Sequence, residues 1–397
     1  MRLSLVLLLT TLFSTPLHPS NGLMESNPAK TVRDAVSIID QSYLHAASNP
    51  AWKQAKQALL AGRYQSTSEA YRALGEQLAR VHDPGLYLVN SQEFRAREDE
   101  LKAKRIGTGL ASFAIDRDPS TGYALVVTAL EDSPAARAKI RPRDLILSID
   151  GVSTRAMSHE QILDAFGVQA AKVKLEIQSG RRTRRVVLDP SREPLDAVQF
   201  YRRNIHDKTI GYIRVLLFSP DAGQKVQDAV VALEREGVDG YVLDLRNNPG
   251  GSLSSAENAA RAFTAGMLGT EITGNGRPQR LLTRGAPLTG KPVIVLINGG
   301  TASAAELLAA ALHDLRRAVL VGSPSFGRGR TQAYIPLSDG YGVFVPNGEL
   351  LTPNGRALKL EGILPDLKVA GDFLPGKRIA TRHDPQFQRA IAVLPHS

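Results

Sequence analysis

The 397-residue sequence predicts an α/β core with parallel strands, preceded by a β-rich module and a small helical domain. Three observations carry this expectation. From about residue 195 strand and helix patterns alternate, and between 103 and 190 the period is that of short strands bounded by glycine and proline. Before residue 98 apolar residues recur at helical spacing instead. A length of roughly 150 residues per domain agrees with two or three units. The composition, 43% hydrophobic and 22% charged, is that of a chain that folds.

Met1-Arg2, the apolar run Leu3 to Phe13 and the break Ser14-Thr15-Pro16 read as a signal peptide over residues 1–22, and therefore as export. The run is short for a membrane span. Val32, Val36, Ile39 and Tyr43 share a helix face, and Ser66 to Glu69 offers a capping box for a helix bearing Tyr71, Leu74 and Leu78. This helical domain, residues 28–98, meets a stop at His82-Asp83-Pro84-Gly85, where the His-Asp pair reads as capping groups and not as a catalytic pair.

Residues 103–190 open with a glycine loop and short strand, Gly107-Thr108-Gly109-Leu110-Ala111-Ser112-Phe113. Strands follow at Ala124 to Ala129 and Asp144 to Asp150, then a helix from Ser158 to Phe166 and a hairpin pairing Val173, Leu175 and Ile177 with Arg184 to Leu188. A proline-containing link, Asp189 to Pro194, leads into residues 195–372. There strands at Ile210 to Val215, Gly240 to Leu245, Val293 to Ile297 and Ala318 to Val321 alternate with helices at Ala222 to Glu236, Leu253 to Phe263 and Ser303 to His313. Residues 373–397 show no strong period and read as a tail.

The net charge is +10, densest at Arg181-Arg182-Thr183-Arg184-Arg185. In an exported chain this reads first as a solvated hairpin tip and second as attraction to a membrane surface, with nucleic acid disfavoured. The chain has no cysteine, which excludes disulfides, thiol catalysis and cysteine metal sites. His82 and His159 lack the paired spacing of zinc ligands, so neither metal nor cofactor is expected. Oligomeric state is not legible.

The stretch Asn298-Gly299-Gly300-Thr301-Ala302-Ser303-Ala304-Ala305-Glu306 joins an apolar strand to an alanine-rich helix. Ser303 at such an elbow could attack a carbonyl while the Ala304 amide holds the developing charge; it could equally be a plain N-cap. Two further stretches bear on the choice: Asp244-Leu245-Arg246-Asn247-Asn248-Pro249-Gly250-Gly251 and Phe326-Gly327-Arg328-Gly329-Arg330-Thr331-Gln332.

With Asp132-Ser133-Pro134-Ala135, Ile140 to Ile149 and Asp150-Gly151 as landmarks, residues 103–190 resemble a circularly permuted PDZ domain of bacterial proteases. Lys139 and Arg143 stand where that family tends to carry glycine. Together the three stretches, with Thr352-Pro353-Asn354-Gly355-Arg356 and Gly362 to Asp366, resemble the carboxy-terminal processing proteases, tail-specific serine peptidases of the S41 type. The look is that of the cyanobacterial and plastid branch. The resemblance implies a crotonase-like α/β peptidase core and a location in a periplasm or thylakoid lumen. It implies Ser303 as nucleophile, the Ala304 amide and a glycine of Gly250-Gly251 as oxyanion hole, and Gln332 as the residue positioning the base. It further implies that Gly107, Gly109, Leu110 and Phe113 take a peptide C-terminus as an added strand. The base position falls on Arg328, where the family has lysine. A guanidinium stays protonated and offers no acceptor, so two functions stay open: a C-terminal processing endopeptidase, or a tail-binding protein of weak or no activity.

Overall fold

The computed structural model describes residues 27–104, 106–110, 114–167, 171–205, 207–274, 276–359, 361–371 and 378–395. The signal-peptide reading and Phe113 lie outside them.

A six-stranded sheet forms the centre. Its order is Leu367–Lys368, Ala318–Gly322, Val293–Ile297, Gly240–Asp244, Lys208–Val215 and Val198–Ile205. All neighbours are parallel except the last pair. Val293–Ile297 and Gly240–Asp244 are buried along their whole length, which is why the first reads as an unbroken apolar run and the second is apolar from Tyr241 to Leu243. One face packs on helices Ala222–Arg235, Leu253–Ala260 and Ala304–Asp314. The other face is closed by helix Pro385–Val393 through Phe387, Ala390 and Ile391. The stretch expected to be a tail is thus part of the core. Its helix is only nine residues long, too short to reveal a period.

A second, antiparallel sheet orders Tyr87–Val89, Gly342–Leu351, Gly266–Thr273 and Pro278–Thr283, with Arg330–Pro336 also paired to Gly342–Leu351. It carries the strand that follows Arg328, and its Val343 and Val345 pack under the three helices of the helical domain, Pro28–Ser42, Pro50–Ala61 and Thr67–Arg80. The β-rich module is a third sheet, closed by helix His159–Asp164, whose Ser158 makes a capping box with Gln161. Lys139 and Arg143 do adopt left-handed backbones, φ 57° and 68°, so the turns that glycine would make freely are kept at a cost of about 1 kcal/mol each.

A charged helix, Ser91–Leu101, lies against the module. Arg97 donates to Asp164 at 2.7 Å, and the carboxylates of Glu93, Glu160 and Asp164 gather within 4.8 Å of one another. Burial, reinforced by Glu93 and Asp164, pushes Glu160 from its ordinary 4.5 up to about 7. A carboxyl that keeps its proton longer when folded loses stability as pH rises between those values. Glu160→Gln should therefore raise the melting temperature at about pH 8 and leave it unchanged below about pH 4, as read from thermal scans across that range.

Candidate active site

The site is assembled where the central parallel strands end. Past Ile297, Asn298 accepts from the Asn247 N–H through Oδ1 (2.9 Å) and donates to Asn247 Oδ1 (2.9 Å), a reciprocal clasp between the two loops. Thr301 Oγ1 donates to Leu245 O (2.8 Å), and the Ala302 N–H to Asn248 O (2.9 Å). Asp244 and Arg246, a motif pair without an assigned role in the sequence, prove to be the anchor beneath. Asp244 accepts from Tyr212, Arg214 and Arg246, and Arg246 reaches on to Asp384 at 2.7 Å in the C-terminal helix cap. Burial opposes the Asp244 charge, but Arg246 and Arg214 overcome it and hold the carboxyl below the usual range.

Ser303 sits at φ 55°, ψ −121°, a conformation an L-residue adopts only under constraint. Ser303 and Glu306 stand in the capping-box relation at the start of helix Ala304–Asp314, so Ser303 is also the N-cap, but one held on a strained backbone that an ordinary N-cap does not need. The constraint is Glu306, fully buried one turn into the helix. Its carboxylate accepts from the N–H groups of Ser303 (2.9 Å), Gly327 (2.7 Å) and Arg328 (2.8 Å) and from the Ser325 hydroxyl. Burial raises the Glu306 pKa while these four donors pull it back. One carboxylate thereby fixes the elbow against the loop that carries the base position. Glu306 was visible in the sequence only as a residue of the motif.

Gly250 abuts the elbow: a Cβ there would lie 2.8 Å from Ser303 Cβ and 3.1 Å from Ala304 N. The Gly250 N–H is donated to Asn248 Oδ1 at 2.8 Å. The N–H groups of Ala304 and Gly251 donate no hydrogen bond among the described residues.

Ser303, Ala304, Gly250, Gly251 and the backbone of Arg328 therefore come together. The side chains of Arg328 and Gln332 go elsewhere. Arg328 Nε lies 3.5 Å from Asp116 Oδ2 in the β-rich module. Gln332 donates to Gly85 O (2.7 Å), and Arg330 to Asp83 (2.6 Å), which also accepts from Tyr43 (2.9 Å). The turn at His82-Asp83-Pro84-Gly85, expected to be only a helix stop, grips the strand after Arg328. Lys359, the lysine nearest in sequence to the Arg328 motif and the alternative base, is exposed, although its neighbour Leu358 crowds Gly329.

The glycine loop also departs from expectation. Gly107 donates to Ser191 O (3.0 Å), Gly109 to Ile106 O (3.0 Å) and Leu110 to Thr108 Oγ1 (3.3 Å), and residues 107–110 are all buried. Among the described residues, the amides of Gly107, Gly109 and Leu110 are therefore used within the fold.

An α/β core with a strained serine beside unpaired amides is the arrangement of an enzyme that transfers an acyl group through serine. Comparison narrows it. Residues 209–369 match peptidase family S41 and residues 125–179 match the PDZ domain. The chain is 32% identical over 386 residues to the carboxyl-terminal-processing protease of Synechocystis sp., covering 94% of this chain and 88% of that one. It is 30% identical to the chloroplastic carboxyl-terminal-processing peptidase 2 of Arabidopsis thaliana, covering 91% and 72%. The solved photosystem II D1 C-terminal processing protease superposes with a TM-score of 0.78 at 26% identity, covering 91% of this chain and all of that one. The chain belongs to the carboxyl-terminal-processing protease family.

Proposed function

We propose that the protein is an exported endopeptidase that cuts near the C-terminus of protein or peptide substrates by acylation of Ser303, and that Arg328 makes it slow. The observation that carries this is the elbow itself: Ser303 on a strained backbone of φ 55°, next to the unpaired Ala304 N–H. In this reading Ala304 and Gly251 donate to the oxyanion, and Gly250 keeps the space open by lacking a Cβ. Arg328 cannot accept the serine proton, so attack waits for solvent hydroxide. The second reading, a tail-binding protein, is favoured by one observation, that Arg328 is turned to Asp116.

Cleavage of C-terminal tail peptides by the purified mature chain separates the two. The first reading expects slow cutting that Ser303→Ala abolishes. Brisk cutting that Lys359→Ala silences would show that the base has moved. No cutting by the parent or by Arg328→Lys, with tails still bound, establishes the binding protein. Export rests on the charged start and apolar run to Phe13; N-terminal sequencing should find a mature chain beginning within about ten residues of Gly22, and an intact Met1 on a cytoplasmic protein contradicts it.

A further inference from the structure

The segment from Arg328 to Gln332 hangs between two carboxylates. On the core side Glu306 takes the Arg328 N–H at 2.8 Å. On the other side stands Asp83, in the turn after helix Thr67–Arg80, with its side chain only 7% exposed. Asp-Pro-Gly is a turn sequence, and here Asp83 O accepts from the Leu86 N–H and Asp83 Oδ1 from the Gly85 N–H, both at 3.0 Å. The second carboxylate oxygen, Oδ2, is thereby aimed at the strand, where it accepts from Arg330 (2.6 Å) and from the Tyr43 hydroxyl (2.9 Å). Burial first, and then the Asp83 charge, raise the Tyr43 pKa, so its hydroxyl keeps the proton it donates. The Gly85 carbonyl, on the far side of the same turn, takes Gln332 at 2.7 Å.

The strand needs a hold at this point. Arg330–Pro336 pairs with Gly342–Leu351, but the register slips between Thr331 and Gln332, and the residue opposite Gln332 is Pro346, which has no N–H to give the ladder. A bulge re-aims the side chains beside it, and this one lies at the end of the strand that follows the base position. The turn presses directly on it: a Cβ at residue 85 would lie 2.6 Å from Pro346 Cγ, so the approach requires glycine. Docking of the helical domain does not call for these polar groups. Leu86, Leu88, Val343 and Val345 already share a buried apolar cluster with its helices, and Tyr71 stacks on Tyr341 at 3.9 Å and donates to Ser338 O at 2.7 Å.

We infer that Asp83 is a positioning residue: from the helical domain, through Arg330 and the Gly85 carbonyl, it fixes where residues 328 to 332 lie relative to Ser303. The inference rests on the reading of Ser303 as nucleophile with its base position at 328. Asp83→Asn keeps the shape and an acceptor for the Gly85 N–H, but it gives up the charge-assisted hydrogen bond to Arg330. The bulged end of the strand is then held by Glu306 alone.

The test uses the full mature chain and two readouts. The first is the rate at which a rhodamine-linked fluorophosphonate labels Ser303, followed against pH in the Arg328→Lys background. Asp83→Asn should lower the plateau rate about 10- to 100-fold, the loss that a small misplacement of a reacting group brings. It should also move the pH at which labelling levels off upward by about one unit, because a loosened lysine is better hydrated and holds its proton longer. Tyr71→Phe, which removes a hydrogen bond between the same domain and the same sheet, should lower the melting temperature and leave rate and pH profile unchanged. The second readout is amide hydrogen exchange of the parent chain, in which Asp83→Asn should speed exchange of residues 328–333 about tenfold or more and Tyr71→Phe should not. A plateau and pH profile equal to the background, a loss that Tyr71→Phe matches, or a faster plateau, which would make the turn a brake, overturns the inference. Absence of any label on Ser303 in the Arg328→Lys chain removes the role given to Ser303 instead, and exchange then decides: unchanged exchange in Asp83→Asn overturns the inference, and faster exchange confined to residues 328–333 sustains it.

Discussion

Exchanging Arg328 for lysine is expected to raise turnover of a C-terminal tail substrate by about 10²- to 10⁴-fold near neutral pH, the usual contribution of a positioned general base. The main chain at 328 needs no rearrangement, because Glu306 already ties its N–H and that of Ser303 to one carboxylate. What changes is the head group. A guanidinium stays charged, whereas an ammonium partly withdrawn from water gives up its proton more readily and can then accept that of the serine. The exchange gives up the contact with Asp116, but both side chains there are about a quarter exposed, and a pair of that kind contributes about 0–1 kcal/mol. Initial rates on one peptide, parent against variant, decide the matter; a parent within a few-fold of the variant refutes the role given to Arg328.

In the Arg328→Lys background, Gly250→Ala should lower kcat by about 10²- to 10³-fold with little change in KM, the loss expected when an oxyanion donor is displaced. At φ 102° the new side chain is strained, and its Cβ would sit 2.8 Å from Ser303 Cβ, 3.0 Å from Ala302 O and 3.1 Å from Ala304 N. Those are backbone and elbow atoms that cannot swing aside. Gly290→Ala is the control, since nothing lies within 4 Å of a Cβ there, and its kcat should match that of the background. Equal rates for Gly250→Ala and the control would mean that the amides at Ala304 and Gly251 do not meet the reacting carbonyl.

Much of the fold was legible because its signals are local. The buried strand Val293–Ile297 is an unbroken apolar run, Tyr241 to Leu243 is a shorter one, and the helix after Ser303 announces itself by composition. The antiparallel sheet is not legible in the same way. Its strands, such as Arg330–Pro336, are half exposed and carry charge, so their pattern is weak, and their pairing is non-local. Helix Ser91–Leu101 is hidden for a related reason, as its sequence is nearly all polar and it is held by Arg97, a capping box and the single aromatic Phe94 stacked on Tyr334 rather than by an apolar stripe. In the site, residue types revealed the elbow and the glycine pair. They could not reveal where long side chains end. Arg328 reaches Asp116 and Gln332 reaches Gly85 because of how the module and the helical domain dock, which no spacing within either motif encodes. The amides of the glycine loop were expected to face a ligand, yet Ser191 and Thr108 absorb two of them, one from a link well outside the loop.

The central claim, a Ser303 nucleophile assembled at the elbow but lacking a neutral base, is tested most directly by the rate at which a serine-directed fluorophosphonate labels Ser303 as pH is raised. The account predicts that the parent chain labels at Ser303 slowly, with a rate climbing about tenfold per pH unit and no plateau before unfolding, as attack through hydroxide requires. The Arg328→Lys chain should label faster and level off once its lysine is neutral, and Ser303→Ala should not label. A parent rate that is already fast and flat near pH 7, or no adduct on Ser303 in either form, would contradict it.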